Sequence, residues 1–398
     1  MVKKFHVLIV FGTRPEAIKM VPVIKALKAV PTLEIKVCVT GQHRQMLDQV
    51  LNLFDIKPDI DLNIMKPSQT LSDITASILL GLNAVFADHR PDLLLVHGDT
   101  TSACAAALAA YYFQIPVGHV EAGLRTGDIN SPWPEEGSRQ IIGRLSSLHF
   151  APTKSCKANL MNEGISESKI YVTGNTVIDS LLITLNGLNK SKEQLSNIKS
   201  ELEKISPEVL ERSDDWKSGK RKLILITGHR RENFGDGVLN LCSALTQLTA
   251  AHEDIDFVYP VHMNPNIHKV VNSELHGVGN IFLIPPLDYL IFVYLMSLSH
   301  IIITDSGGIQ EEAPSLGKPV LVMRDSTERP EAIEAGTAKL IGMRAANIVS
   351  AVKELLVYPD SYSTMSNASN PYGDGTTGKQ IAEIIANYAL KKEENEFK

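Results

Sequence analysis

The sequence predicts an α/β fold: two Rossmann-like, doubly wound parallel-sheet domains facing a central cleft. Three observations lead there. Short apolar runs alternate with helical patterns along most of the chain, as parallel β-α-β winding requires. At 398 residues the chain is longer than one ordinary core serves. The alternating series also restarts after a charged stretch. Both halves share one device, a first strand ending in a polar loop that carries Arg: FGTRPE at Phe11 to Glu16 and TGHRREN at Thr227 to Asn233.

Taken in order, Phe5 to Phe11 reads as a buried strand. A helix starts near Pro15, where the missing proline N–H costs little, and Ile18, Val21, Ile24, Ala26 and Leu27 line its apolar side. Leu33 to Thr40 is a strand, and GQHRQML opens the next helix. Thr70 to Ala87 is a longer helix and Leu93 to Val96 a strand. A small-residue helix follows from Thr100 to Phe113, then a strand from Val117 to Glu121. WPEEGSR leads into a helix ending near Ser147, and a short strand closes in HFAPT. Ile170 to Thr173 and GNTVIDSL complete a first domain, 1–185. The second domain, 186–375, begins with the charged stretch 188–222, read as a helical, solvated connector, although a surface helix within one domain fits the same residues. Strands Leu223 to Thr227, Phe257 to Val261, Ile281 to Ile284, His300 to Thr304 and PVLVM alternate with helices at Val238 to Ala251, at Tyr289 to Ser297 and after SGGIQEEA. The last helix, Gln380 to Leu390 within 376–398, is expected to cross back to the first domain.

Composition excludes some functions. The net charge of −6 leaves no basic footprint for nucleic acid. The four cysteines are scattered, with no metal-ligand spacing, which suits free thiols in a reducing cytoplasm. The N-terminus enters a strand at once, leaving no room for a signal peptide. The longest apolar stretch, read as Ala103 to Phe113, is too short to span a bilayer. A cytoplasmic protein is therefore expected.

Four acids fall between His97 and Arg139: Asp99, Glu121, Glu135 and Glu136. Asp99 and Glu121 close the runs LLLVHGD and VGHVEAG, and ligands of open α/β sheets bind outside the carboxyl ends of strands. General acid–base chemistry needs carboxyl groups whose surroundings differ. Each acid also has a structural reading. Asp99 could cap a helix, Glu121 could pair with Arg125, and Glu135 and Glu136 could serve as first-turn helix charges. SGGIQEE, Ser306 to Glu312, follows an apolar strand and opens a helix, a setting for phosphate, with Glu311 or Glu312 in reach of ribose hydroxyls. Arg14, Lys19, His229, Arg230, Arg231 and Arg329 lie near strand ends and suit a diphosphate. GDGTTG at Gly373 to Gly378 fits a dinucleotide fingerprint but follows no strand. His262 in HxxNP lacks a second ligand at metal spacing, so no metal is expected.

Together FGTRPEAIKM, GQHRQML, HGDTTS, HVEAGLRT, SPWPEE, VTGNTVID, GHRREN, DSGGIQEEAPSLGKPVLVMRDSTERPE and NPYGDG resemble the bacterial non-hydrolysing UDP-N-acetylglucosamine 2-epimerases, from Phe11 to about Gly378. The resemblance implies the B-type glycosyltransferase fold and no added cofactor. It implies C2 epimerisation of UDP-N-acetylglucosamine to UDP-N-acetylmannosamine through loss and re-addition of UDP, in a homodimer that supplies surface polysaccharide. It makes Asp99, Glu121, Glu135 and His229 catalytic. Arg14, Lys19, His229, Ser306, Gly307, Gly308 and Arg329 then hold the diphosphate, and Glu312 the ribose. Leu287 and Phe292 hold uracil, with Leu287 standing where some relatives carry Gln. Gln42, Gln45, Arg230 and His262 resemble a second site for UDP-N-acetylglucosamine as activator, in which Ser68 replaces an Arg of some relatives. Since the diphosphate anchors lie on another domain than the acids, domain closure is an expected part of the mechanism. A hydrolysing epimerase, a glycosyltransferase on the same fold and a non-catalytic nucleotide-sugar sensor are the alternatives.

Overall fold

In a computed structural model, residues 4–42, 44–228, 230 and 235–396 are described. The chain divides into two units. The first comprises residues 1–180 with 372–398, and the second residues 181–371.

The first unit runs β1 (Phe5–Phe11), α1 (Arg14–Lys28), β2 (Leu33–Val39), α2 (Arg44–Leu53), β3 (Ile60–Asp61), α3 (Leu71–Asp88), β4 (Leu93–His97), α4 (Thr101–Tyr112), β5 (Val117–Val120), α5 (Glu135–Leu145), β6 (Leu148–Ala151), α6 (Lys154–Asn162), β7 (Ile170–Val172) and α7 (Thr176–Lys190), in which the boundary falls. Its seven strands are parallel, in the order β3-β2-β1-β4-β5-β6-β7. Val7 to Phe11 and all of β4 are buried, as strands covered on both faces must be. Helix α4 offers alanines to the sheet: Ala103, Ala105, Ala106, Ala107, Ala109 and Ala110 are buried. Glycine is needed at position 118, where a Cβ would stand 2.5 Å from Leu95.

The second unit runs α8 (Lys192–Ile205), α9 (Pro207–Ser218), β8 (Lys222–Thr227), α10 (Asp236–Ala251), β9 (Ile255–Pro260), α11 (Pro265–Leu275), β10 (Ile281–Ile284), α12 (Tyr289–Leu298), β11 (Ile301–Thr304), α13 (Gly307–Glu312), β12 (Val320–Val322), α14 (Pro330–Glu334), β13 (Ala338–Leu340), α15 (Ala345–Val357) and α16 (Pro359–Ser366). Six parallel strands stand in the order β10-β9-β8-β11-β12-β13. The final helix, α17 (Thr377–Glu396), packs on α1 in the first unit. The Gly378 N–H donates to Asp179 at 2.8 Å, and Tyr388 meets Phe5 edge-on.

In each sheet the strand order reverses once, between β1 and β4 and between β8 and β11. At such switch points the loops at the carboxyl ends part and leave room for a ligand.

Two expectations are corrected. The charged stretch 188–222 is not a solvated link. Helices α8 and α9 belong to the second unit and bury Ile198, Leu202, Val209 and Trp216. Trp216 donates to the buried Asp256 at 2.7 Å and meets Phe282 edge-on, so the charges form only the outer face. The most apolar long helix is α3, not Ala103 to Phe113. By length and composition α3 could cross a membrane, and its Ile74, Ile78, Leu82 and Phe86 are buried in the core of the first unit.

Candidate active site

In the first unit the site grows from the loops after β1, β4 and β5. Glu121 stands one residue past β5 with φ +64°, a left-handed conformation costly for a residue with a Cβ. Its carboxylate Oε2 accepts from Lys19 of α1 and, at 2.7 Å, from Asn175 Nδ2. His97 Nε2 lies 3.9 Å away. Burial drives His97 down to about 4, so this imidazole is neutral at pH 7.

Asp99 follows β4. Arg139 donates to its Oδ2 through Nε at 2.8 Å and lies 2.7 Å away through Nη2. The same guanidinium reaches Glu136 Oε2 at 3.2 Å. Burial raises the Asp99 carboxyl, Arg139 opposes, and the nearby Glu121 charge raises it further. The two acids therefore differ. Glu121 receives an ammonium and an amide, whereas Asp99 is held towards its protonated form by burial and a like charge.

The structural readings of these acids are settled by their neighbours. Thr100, not Asp99, caps α4, accepting from Ala103 N at 3.0 Å. Arg125 pairs with Glu163, not with Glu121. Glu136 is fully buried and accepts from Thr126 N, Arg139 and Gln140, a bracing role. Glu135, the first residue of α5, is half-buried, and its side chain makes no hydrogen bond or ion pair among the described residues.

Arg14 opens α1, just after Gly12. A Cβ at Gly12 would lie 2.0 Å from Thr40 Oγ1 and 2.4 Å from Ser102 Oγ, so this approach of loops requires glycine. Gln42 accepts from that Ser102 at 2.8 Å, whereas Gln45 is exposed on α2.

In the second unit, Ser306, Gly307, Gly308 and Glu312 follow β11, and Arg329 joins them from the loop after β12. The Arg329 guanidinium pairs with Glu311 and lies 3.7 Å from where a Gly307 side chain would begin, and Glu312 stands equally close to Gly308. Leu287 precedes α12 and Phe292 closes its first turn, both half-buried. Arg230 donates its backbone N–H to Asp305 at 3.0 Å, and its guanidinium pairs with Glu328 at 3.1 Å. Burial works against the Glu328 charge, but Arg324 and Arg230 hold that carboxyl down to about 2. His262 is exposed in the loop after β9. His229 lies outside the described residues.

A family model described as UDP-N-acetylglucosamine 2-epimerase matches residues 25–386. The chain belongs to the UDP-N-acetylglucosamine 2-epimerase family. It is 53% identical over 381 residues to the UDP-N-acetylglucosamine 2-epimerase of Escherichia coli K12, covering 96% of this chain and 98% of that one. The crystal structure of UDP-GlcNAc 2-epimerase from Neisseria meningitidis bound to UDP-GlcNAc superposes with TM-score 0.85 at 52% identity, over 96% of this chain and 100% of the other. A Rickettsia africae glycosyltransferase, 15% identical over 96% and 97% of the two chains, reaches TM-score 0.60 and shares the fold alone. The B-type glycosyltransferase-like architecture is thus that of the epimerase family.

Sequence reasoning missed three members of this candidate site. Arg139 closed the acidic stretch without a role, although its place three residues after Glu136 puts both on one helix face. Glu16 is almost fully buried and accepts from Gly12 N, Thr13 N, Thr13 Oγ1 and, across the sheet end, Thr100 Oγ1 at 2.8 Å. Burial pushes it up to about 7 against those bonds. Asn175 lay in VTGNTVID, and only its partners reveal its use.

Proposed function

We propose that the chain interconverts UDP-N-acetylglucosamine and UDP-N-acetylmannosamine without hydrolysis or cofactor. The C2 proton leaves with anti elimination of UDP, giving 2-acetamidoglucal, and UDP adds back as a proton returns to the other face. The observation that carries this reading is the Asp99 and Glu121 pair, two neighbouring carboxyl groups in unlike surroundings. The C2 hydrogen is too weakly acidic for simple deprotonation, so departure of a diphosphate must assist. Asp99, Glu121 and Glu135 serve the sugar. Lys19, assigned to the diphosphate by resemblance, acts through Glu121, with which it is paired. Arg14, His229, Ser306, Gly307, Gly308 and Arg329 serve the diphosphate, whose developing charge needs cations and N–H donors. Glu312 takes the ribose, and Leu287 and Phe292 the uracil.

The proposal extends to a homodimer in the cytoplasm that feeds surface polysaccharide, and to a second UDP-N-acetylglucosamine bound by Gln42, Gln45, Arg230 and His262. For that activator, Arg230 has to share or exchange Glu328.

The test is incubation with UDP-N-acetylglucosamine in deuterated water, followed by NMR. Both UDP-sugars should appear with deuterium at C2. Free N-acetylmannosamine in place of its UDP derivative would show a hydrolase, and no turnover without an acceptor a transferase. Glu121→Gln and Asp99→Asn should each lose turnover by about a hundredfold or more while still binding UDP. Near-normal turnover in either variant removes that residue from the chemistry.

A further inference from the structure

Glu121 is bound by a residue to which the reaction gives no task. Asn175 is 1% exposed, just before α7. Its Oδ1 accepts from Val177 N at 3.1 Å. That bond identifies the acceptor end of the amide, so Nδ2 is the end facing the carboxylate, where it donates to Glu121 Oε2 at 2.7 Å. The backbone N–H of Asn175 donates to the Tyr372 carbonyl at 2.6 Å, on the segment by which the chain re-enters the first unit. The preceding Gly174 has φ +88°, and a Cβ there would meet Thr377 Oγ1 at 2.8 Å and the Tyr372 carbonyl at 3.0 Å. The GNT turn is thus clamped by Tyr372, just before the GDGTTG stretch that mimicked a dinucleotide fingerprint, and by Thr377 within it.

We infer that Asn175 is a positioning residue for Glu121, set in place by the Tyr372 carbonyl. Lys19 and Asn175 converge on the same carboxylate oxygen. The ammonium supplies charge without much direction. The amide, locked at its other end, supplies direction and fixes the carboxylate plane. Glu121 needs this because its strained backbone aims the side chain without holding its far end. Among the described residues, Lys19 from α1, His97 from β4, Asp99 from the following loop and Asn175 from the turn before α7 face Glu121.

This inference rests on Glu121 acting on the C2 proton, and its test separates the two claims. Wild-type exchange of C2 hydrogen for deuterium checks the reaction, and the variants check Asn175. Asn175→Ala should lower kcat by about 10- to 100-fold, with KM for UDP-N-acetylglucosamine changed by less than about threefold, since a misplaced base costs turnover and not ground-state binding. Asn175→Asp keeps the shape and the acceptor for Val177 but sets a second carboxylate against Glu121. It should move the acidic limb of the kcat/KM profile up by about one pH unit. UDP affinity should stay within about twofold of wild type in both variants. Wild-type kcat in Asn175→Ala, an unmoved acidic limb in Asn175→Asp, or UDP binding lost in step with turnover would each overturn the assignment.

Discussion

Arg139 is the residue that ties together two acids of the first unit, the half-buried Asp99 and the fully buried Glu136. It serves Asp99 with two nitrogens and Glu136 with a third. Removing one partner of a buried ion pair costs about 3–5 kcal/mol, because the other charge stays behind. Arg139→Ala should therefore destabilise the protein by at least about 3 kcal/mol in urea unfolding. It should also push the Asp99 carboxyl still higher, since Arg139 is the main influence opposing burial. A change below about 1 kcal/mol would show that Glu136 and Asp99 find other partners. Asp99 and Glu121 were legible because an acid directly after an apolar run has few places to point. Arg139, Asn175 and Glu16 were not. Their partners stand 40, 54 and 84 positions away in sequence, and only the order of the strands brings them together.

Among elements, the buried strands were readable because they are short, apolar and bounded by turn residues. Two-residue β3 and three-residue β13 lack the length for such a signal. Helices α8 and α9 misled for a different reason. Two buried positions in fourteen and three in twelve leave their amphipathic pattern diluted by lysine and glutamate. Yet Trp216 anchors α9 to the sheet of the second unit. Trp216→Ala should cost about 3–5 kcal/mol, from lost ring burial and the lost bond to Asp256. Guanidinium unfolding monitored by circular dichroism reads this directly, and a cost near zero would restore the picture of a loose connector.

For the molecule as a whole, the histidines of the first sheet govern acid stability. His97, His119 and His149 sit on neighbouring strands β4, β5 and β6, with His119 and His149 in register. Burial first of all drives them to about 4, 3 and 4. Between these values and the ordinary 6.5, the unfolded chain binds more protons than the folded one, so stability rises with pH and falls on acidification. For His97 the gap of about 2.5 pH units corresponds to about 3 kcal/mol. Glu16 works the other way. It keeps its proton to about 7 when folded, so its contribution is full below the usual 4.5 and fades as pH rises to 7. Asp99 and Asp179 are raised in the same way, and burial lowers His300 of the second unit with the other three. Four lowered imidazoles against three raised carboxyls give a net fall in Tm from pH 6.5 to 4. Calorimetry across that range measures it, and a flat or rising Tm would contradict the neutral histidine row.

The first unit is assembled from the two ends of the chain, with the second unit inserted between residues 180 and 372. During synthesis the second unit emerges whole while the first still lacks α17. Until that helix arrives, the α1 surface that receives it stays open, and the Asn175 turn waits for its clamp at Tyr372. The inserted unit can therefore fold on the ribosome before the outer one, and a nascent chain acquires the Glu121 setting only after Tyr372 has been made.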